Sequence, residues 1–131
     1  MAPSFECPGA PRADVLVVDD DAGVRDVCRS LLHALGYRTA EASSGEHAIA
    51  AIGDGDPGVQ LVLLDLEMPG MRGDEVLRAL KVRAPGVRVL LMSGHVRTDL
   101  GACLACGADG LLRKPFGMRA LDSSLAAALG S

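Results

Sequence analysis

Short, mostly apolar runs alternate with amphipathic helical patterns along most of this 131-residue chain. The three clearest runs are residues 15–18 (VLVV), 61–64 (LVLL) and 87–92 (VRVLLM). Runs of this length suit strands that are buried on both faces, as in a parallel sheet. Between the first two runs, apolar residues from Val24 to Leu35 recur at helical spacing, which predicts a helix with one buried face. The alternation therefore predicts an α/β fold with helices on both faces of a sheet.

Weaker patterns complete five strand–helix units. Residues 37–42 are more polar and predict a strand near the edge of the sheet, and Ser43 and Glu46 have capping-box spacing for a helix that ends near Ile52. The remaining predicted elements are helices at 74–83, 98–106 and 118–129 and a short strand at 110–112. This order of elements predicts parallel strands joined by right-handed crossovers. Residues 1–12 contain three prolines and no periodicity, so we expect a flexible lead or linker remnant before one domain at 13–131.

Composition narrows the class of partner. The chain has 13 Lys and Arg against 17 Asp and Glu, a formal net charge of −4, which argues against nucleic acid as a partner of this chain. No apolar run approaches the roughly 20 residues that a membrane-spanning helix needs, so we expect no membrane contact. The first residues lack the pattern of a secretory signal. These observations favour a cytoplasmic protein.

The cysteines indicate free thiols rather than a disulfide framework. The pair Cys103 and Cys106 has the spacing of half a zinc site or a redox dithiol. A structural zinc site needs four ligands, however, and the chain contains no second close pair. We therefore expect Cys103 and Cys106 to be small, buried or half-buried helix residues. His33 and His47, in the first and second helices, are expected at the surface or its boundary.

Polar residues follow four of the predicted strands where each strand ends. Asp19, Asp20 and Asp21 follow the first strand, Asp65 the third, Ser93 the fourth and Lys114 the fifth. In open parallel sheets the functional site lies at the carboxyl ends of the strands, so these side chains are expected to share one rim.

Each of these residues also has an ordinary structural interpretation: a helix cap, a turn or a solvated charge. Together they predict more, because clustered carboxylates repel unless a cation joins them. Hard oxygen ligands suit Mg²⁺ (or Mn²⁺). Asp65 is the carboxylate best placed for nucleophilic attack, and carboxylates form aspartyl phosphates in covalent phosphoryl transfer. With Lys114 and Ser93 available for phosphoryl oxygens, the set fits phosphoryl transfer.

Four blocks in order resemble the receiver domains of two-component response regulators. They are VLVVDDD (15–21), LVLLDLEMPGMRGDEVL (61–77), VLLMSG (89–94) and GADGLLRKPF (107–116), and the resemblance covers about residues 13–130. It implies a flavodoxin-like open parallel sheet of five strands in the order 2-1-3-4-5, with five helices on both faces.

The resemblance implies the following roles. Asp65 is the phospho-accepting aspartate. Asp19 and Asp20 hold Mg²⁺ together with Asp65 and the backbone carbonyl of Glu67. Lys114 pairs with the phosphoryl group.

The same resemblance implies a switch. Ser93 is the hydroxyl that moves onto the phosphoryl group, and the bond from Lys114 to Pro115 is expected to be cis. The family usually has an aromatic residue or His three residues before the lysine, whereas this chain has Leu111. Leu111 cannot expose a phenol or stack a ring, which puts the usual coupling to the fourth helix in doubt.

Two positions flank the chemistry. Glu67 lies two residues after Asp65, and His95 lies two residues after Ser93. In the family, such positions tune hydrolysis of the phosphoryl group, so we expect both to change its lifetime rather than the capacity for phosphorylation. A role of His95 as a metal ligand is the sharper alternative.

The resemblance implies a histidine kinase or phosphotransfer domain as the donor. It also implies a downstream protein that binds the face built by the fourth and fifth strand–helix units. The domain would catalyse only its own phosphorylation and dephosphorylation. The chain could be a stand-alone receiver or the terminal receiver of a hybrid histidine kinase.

Two rival functions share parts of this pattern. A haloacid-dehalogenase-type phosphatase would use the Asp-x-Asp of Asp19 and Asp21, but it wants a Gly-Thr turn and a cap that this sequence does not supply. A degenerate receiver would serve as an interaction module without phosphorylation.

Overall fold

Five strands and five helices alternate along the chain. The computed structural model describes residues 14–52, 58–70 and 72–130. The strands are β1 (Asp14–Val18), β2 (Arg38–Ala42), β3 (Val59–Asp65), β4 (Arg88–Ser93) and β5 (Gly110–Arg113). The helices are α1 (Ala22–Ala34), α2 (Gly45–Ile52), α3 (Gly73–Arg83), α4 (Leu100–Ala105) and α5 (Met118–Leu129). The predicted lead at 1–12 lies outside the described residues.

All strand pairs are parallel, and the sheet order is β2-β1-β3-β4-β5. The predicted fold class is therefore confirmed. Residues 61–64 are fully buried because β3 lies between β1 and β4 and is covered on both faces. β2 is at the edge, as its polar sequence predicted, and only its last residue, Ala42, is buried.

Alternate residues of the central strands point to opposite faces and build two cores. On one face, the strands pack against α1 and α5 through Cys28, Leu32, Leu121 and Leu125. On the other face, they pack against α2 and α3 through Ala48, Ile52, Val76, Leu77 and Leu80. Burial on both faces holds the carboxyl ends of β1, β3 and β4 in register, and these ends carry the polar residues.

Several helix starts differ from the predicted ones, and side-chain caps account for two of them. α4 begins at Leu100 rather than Thr98 because the Asp99 side chain caps it by accepting from the Gly101 N–H. At α2, the Ser44 hydroxyl accepts from the His47 N–H at 3.0 Å, so the predicted capping pair of Ser43 and Glu46 is wrong by one residue.

The described cysteines are free thiols, as predicted. Cys28 is buried and Cys103 is half-buried, but Cys106 is exposed. The expectation that Cys106 is at least half-buried is therefore wrong, because this residue follows the last turn of α4 and faces solvent. His33 and His47 are exposed, as expected. In the described part of the chain, no helix is long and apolar enough to span a membrane.

Candidate functional site

Three carboxylates meet where β1 and β3 end. One oxygen each from Asp19, Asp20 and Asp65 lies within 4.8 Å of the others. Asp19 and Asp65 are buried, at 1% and 3% exposure, whereas Asp20 is exposed. Asp21 has the ordinary role of a helix cap, because its Oδ1 accepts from the Gly23 N–H at 2.8 Å at the start of α1.

Lys114, which follows β5, places a positive charge between the buried carboxylates. Its Nζ lies 3.0 Å from Asp19 Oδ2 and 3.3 Å from Asp65 Oδ1. The backbone N–H of Lys114 donates to the backbone carbonyl of Ser93 at 2.8 Å, which extends the pairing of β4 and β5 to this point. The bond from Lys114 to Pro115 is cis, as predicted.

Burial and neighbouring charges shift the pKa values of Asp65 and Lys114. Burial raises the pKa of the Asp65 carboxyl and the charge of Asp19 raises it further, while the Glu67 N–H and the Lys114 ammonium oppose the rise. Burial alone would lower the pKa of Lys114, but the hydrogen bond to Asp19 and both carboxylate charges raise it above its ordinary value. One lysine thus compensates the two buried acids only in part.

Three carboxylates that converge this closely fit a hard divalent cation. The donor atoms are all oxygens, which Mg²⁺ and Mn²⁺ prefer over softer ligands. The described residues that could hold a metal are Asp19, Asp20 and Asp65, and His95 is not in this cluster. The residues present therefore fit the implied metal.

The Ser93 hydroxyl, at the end of β4, is held by contacts with three other residues. Ser93 Oγ donates to Glu67 Oε2 at 2.7 Å and lies 2.7 Å from Thr98 Oγ1. It also accepts from the His95 N–H at 3.0 Å. The sequence placed Ser93 at the rim, but it did not predict that the Glu67 carboxylate would take its hydrogen.

The remaining predicted positions lie around this centre. The Glu67 N–H donates to Asp65 Oδ1 at 3.1 Å, and the Glu67 side chain accepts from the Gly94 N–H at 2.8 Å. His95 is exposed beside Ser93. Leu111 is half-buried and packs against the core on the α2 and α3 face, so no ring occupies its position.

Two supporting residues, Arg25 and Arg113, were not predicted from the sequence. Arg25 donates to the Asp19 carbonyl at 2.6 Å, while its Nε lies 3.1 Å from Glu41. Arg113 donates to the carbonyl of Thr98 at 2.6 Å. The only signals for these contacts were an arginine one helical turn past the acidic run and another directly before Lys114.

An apolar cleft of about 550 Å³ opens next to the carboxylates, between the start of α1 and the residues after β5. Its lining includes Val24, Val27, Lys114 and Phe116. Val27 is 58% exposed, so the cleft offers apolar surface to another molecule beside the lysine.

Comparisons with known proteins agree with this geometry. The family model described as the response regulator receiver domain matches residues 15–126. The DNA-binding response regulator MtrA of Mycolicibacterium paratuberculosis is 36% identical over 119 residues, covering 90% of this chain and 52% of that protein. The chain therefore spans about half the length of that relative.

Two further matches cover a larger share of the other protein's length. Sporulation initiation phosphotransferase F of Bacillus subtilis is 35% identical over 86 residues, which are 66% of this chain and 68% of that protein. The crystal structure of a response regulator receiver domain protein from Clostridium thermocellum superposes with a TM-score of 0.83 at 27% identity, covering 90% of this chain and 94% of that one. The chain belongs to the response regulator receiver domain family.

Proposed function

We propose that this domain accepts a phosphoryl group on Asp65. One observation carries the proposal: Asp65 is a buried carboxylate that ends β3, 3.3 Å from the Lys114 ammonium and within reach of Asp19 and Asp20. A carboxylate with this much uncompensated charge around it gains from a cation and from an anion that the lysine can bind.

In the proposed reaction, an Asp65 oxygen attacks the phosphorus of a phosphohistidine. The new O–P bond forms as the P–N bond breaks, and the imidazole leaves with the electron pair. Oδ1 already accepts the Glu67 N–H and faces Lys114, so we assign the attack to Oδ2. Mg²⁺, when bound by Asp19, Asp20, Asp65 and the carbonyl of Glu67, would neutralise charge that develops on the phosphoryl oxygens.

The donor in this proposal is a histidine kinase or a phosphotransfer domain. The cleft supports it, because the exposed Val27 and the half-buried Phe116 line it together with Lys114, which contacts the acceptor. A protein donor that buried this surface would hold its phosphohistidine near Asp65. The domain would catalyse only its own phosphorylation and dephosphorylation. It would span residues 13–131, after a lead at residues 1–12, and would lie in the cytoplasm.

The proposed output surface is the face of β4, α4, β5 and α5. Its support is a chain of contacts from Ser93 to Thr98, which precedes α4, and from the Thr98 carbonyl to Arg113 of β5. Movement of Ser93 towards a phosphoryl group would break the first contact. A downstream protein, or other domains of a hybrid histidine kinase, would read the change.

Phosphorylation by acetyl phosphate tests the proposal. In the presence of Mg²⁺, we expect the intact mass of the wild-type chain to increase by one phosphoryl group. When EDTA is added before acetyl phosphate, the mass should not change. Asp65→Asn should gain none, whereas Asp26→Asn, an exposed acid on α1, should behave as wild type. Equal labelling of Asp65→Asn would contradict the assignment, and no labelling of any form would favour a receiver that works without phosphorylation.

The lifetime of the phosphoryl group is a separate part of the proposal. Glu67 contacts Asp65 through its backbone N–H and Gly94 through its side chain. The His95 N–H donates to Ser93. We expect the Glu67→Ala/His95→Ala chain to be labelled but to lose its label at a different rate from wild type. An unchanged decay rate would contradict this role.

A further inference from the structure

We propose that the Glu67 carboxylate is an internal anion that competes with the phosphoryl group for the two donors of the switch. The donors are the Ser93 hydroxyl and the Gly94 N–H, and in this structure both point at Glu67. The inference rests on the proposed phosphorylation of Asp65 and adds to it how the resting state is held.

The geometry is that of a bound anion. Ser93 Oγ lies 2.7 Å from Glu67 Oε2, and the Gly94 nitrogen lies 2.8 Å from Glu67 Oε1. Consecutive residues thus bind both oxygens of a single carboxylate. Short contacts of this kind are typical of charge-assisted hydrogen bonds. A site that binds a carboxylate in this way also suits two oxygens of a phosphoryl group.

The single hydrogen of the Ser93 hydroxyl makes the competition exclusive. A serine hydroxyl has one hydrogen to donate and two lone pairs to accept with. Ser93 donates its hydrogen to Glu67 and accepts from the His95 N–H, and the remaining lone pair faces Thr98 Oγ1. Ser93 can therefore donate to a phosphoryl oxygen on Asp65 only after it has released Glu67.

The position of Gly94 brings the Glu67 carboxylate close to the Lys114 side chain. A Cβ built on Gly94 would lie 3.8 Å from Glu67 Oε1 and 3.9 Å from the Lys114 Cβ. The Glu67 carboxylate and the Lys114 side chain thus flank one residue. The Glu67 N–H also donates to Asp65, which keeps this competitor next to the acceptor.

Release of Glu67 is physically accessible. Glu67 is exposed, so its carboxylate can rotate into water without leaving a buried charge behind. A phosphoryl group held covalently on Asp65 would then displace it through its higher charge and fixed position. Where the donors are free in a tenth of the molecules, the apparent affinity for a phosphoryl analogue falls about tenfold.

Beryllofluoride with saturating Mg²⁺, titrated against the ¹⁵N-labelled chain, tests the inference. We expect Glu67→Ala to bind beryllofluoride about tenfold more tightly than wild type. Glu67→Gln keeps the shape but not the charge and should fall between the two. Glu46→Ala, an exposed acid on α2, is the matched control and should equal wild type. Equal affinity of Glu67→Ala and wild type, or weaker binding by Glu67→Ala, would overturn the inference.

A second readout needs no phosphoryl analogue. In the free protein, Glu67→Ala should move the Gly94 amide proton resonance upfield, because the carboxylate acceptor is lost. The beryllofluoride titration also separates the two proposals. If Asp65→Asn abolishes binding but all chains that retain Asp65 bind equally, the proposed function stands and the competition by Glu67 is rejected. Failure of every chain to bind, together with no labelling of wild type by acetyl phosphate, would reject both proposals.

Discussion

At the scale of single residues, the site is organised by a charge imbalance. Asp19 and Asp65 are buried beside one ammonium group, and Asp20 lies within 4.8 Å of both. The raised pKa of Asp65 means that its charged form is less favourable in the folded chain than in the unfolded chain. The uncompensated charge lowers the stability of the folded chain. A bound cation would reduce this unfavourable charge.

Asp65→Asn should therefore stabilise the metal-free protein. Because the folded pKa is raised, the stability contributed by the protonated carboxyl is lost as pH rises through that pKa, and Asn restores a neutral group. We expect the free energy of unfolding at pH 7 to be higher for Asp65→Asn than for wild type, because the unfavourable buried charge is gone. Urea unfolding in EDTA measures it, and the gain should shrink as pH is lowered. Millimolar Mg²⁺ should stabilise wild type more than the variant; a destabilised Asp65→Asn in EDTA would contradict the account.

At the scale of elements, helix starts depend on single side-chain contacts. Asp21 caps α1, Ser44 caps α2 and Asp99 caps α4, each with an oxygen on a backbone N–H of the first turn. These caps aim the polar segments that leave the strands. The cap of α1 directly follows the acidic pair at the end of β1, so it contributes to the position of that pair.

The two serines before α2 make a matched pair for a stability test. Ser44→Ala removes the hydroxyl that accepts from the His47 N–H and should lower the free energy of unfolding by about 0.5–2 kcal/mol. Ser43→Ala removes a hydroxyl with no such role in the described contacts and should change it by less than about 0.5 kcal/mol. Thermal or urea unfolding of both variants decides the point. The reverse order would favour the capping box predicted from sequence.

Thr98 is the first contact between Ser93 and the segment that enters α4. Thr98→Val keeps the shape and removes the hydroxyl that lies 2.7 Å from Ser93 Oγ. We expect beryllofluoride to shift the α4 amides less in this variant, with coupling reduced by about 0.5–2 kcal/mol, while residues beside Asp65 still respond. Thr39→Val on β2, whose hydroxyl contacts His33, is the control. Undiminished shifts in α4 would exclude this route.

Strand ends were predictable from sequence, whereas side-chain partners were not. Apolar runs located β1, β3 and β4, and a parallel sheet requires Asp19, Asp65 and Ser93 to share one edge. The hydrogen bond from Ser93 to Glu67 depends on rotamers that no spacing encodes. For the same reason, the cap of α2 fell on Ser44 instead of Ser43. Leu111 stands where the family usually has an aromatic residue or His. The contact between Thr98 and Ser93 was not indicated by the sequence pattern.

At the scale of the whole molecule, two cores close both faces of the sheet and protect what lies between them. Cys28 is in the core between the sheet, α1 and α5. Burial, together with the charge of Asp19, raises the pKa of its thiol to about 11. Its thiolate, the reactive form, is thus scarce at neutral pH. Cys106, in contrast, is exposed at the end of α4.

Alkylation at pH 8 should follow this difference. In a Cys7→Ser chain, iodoacetamide should modify Cys106 first and Cys103 more slowly, because burial raises the pKa of Cys103 as well. With a pKa of about 11, only about one Cys28 thiol in a thousand is ionised at pH 8, so we expect its alkylation only through global unfolding. Peptide mapping over a urea series measures the rates. Native-state alkylation of Cys28 as fast as Cys106 would contradict the buried position.

The central claim is that Asp65 itself receives the phosphoryl group. Borohydride reduces an aspartyl phosphate to homoserine, and tandem mass spectrometry locates the product in the chain. After treatment with acetyl phosphate and Mg²⁺, we predict homoserine at position 65, with Asp19 and Asp20 unchanged, and none when EDTA is present. Homoserine at position 19 or 20, or none anywhere in a chain that has gained a phosphoryl group, would contradict the account.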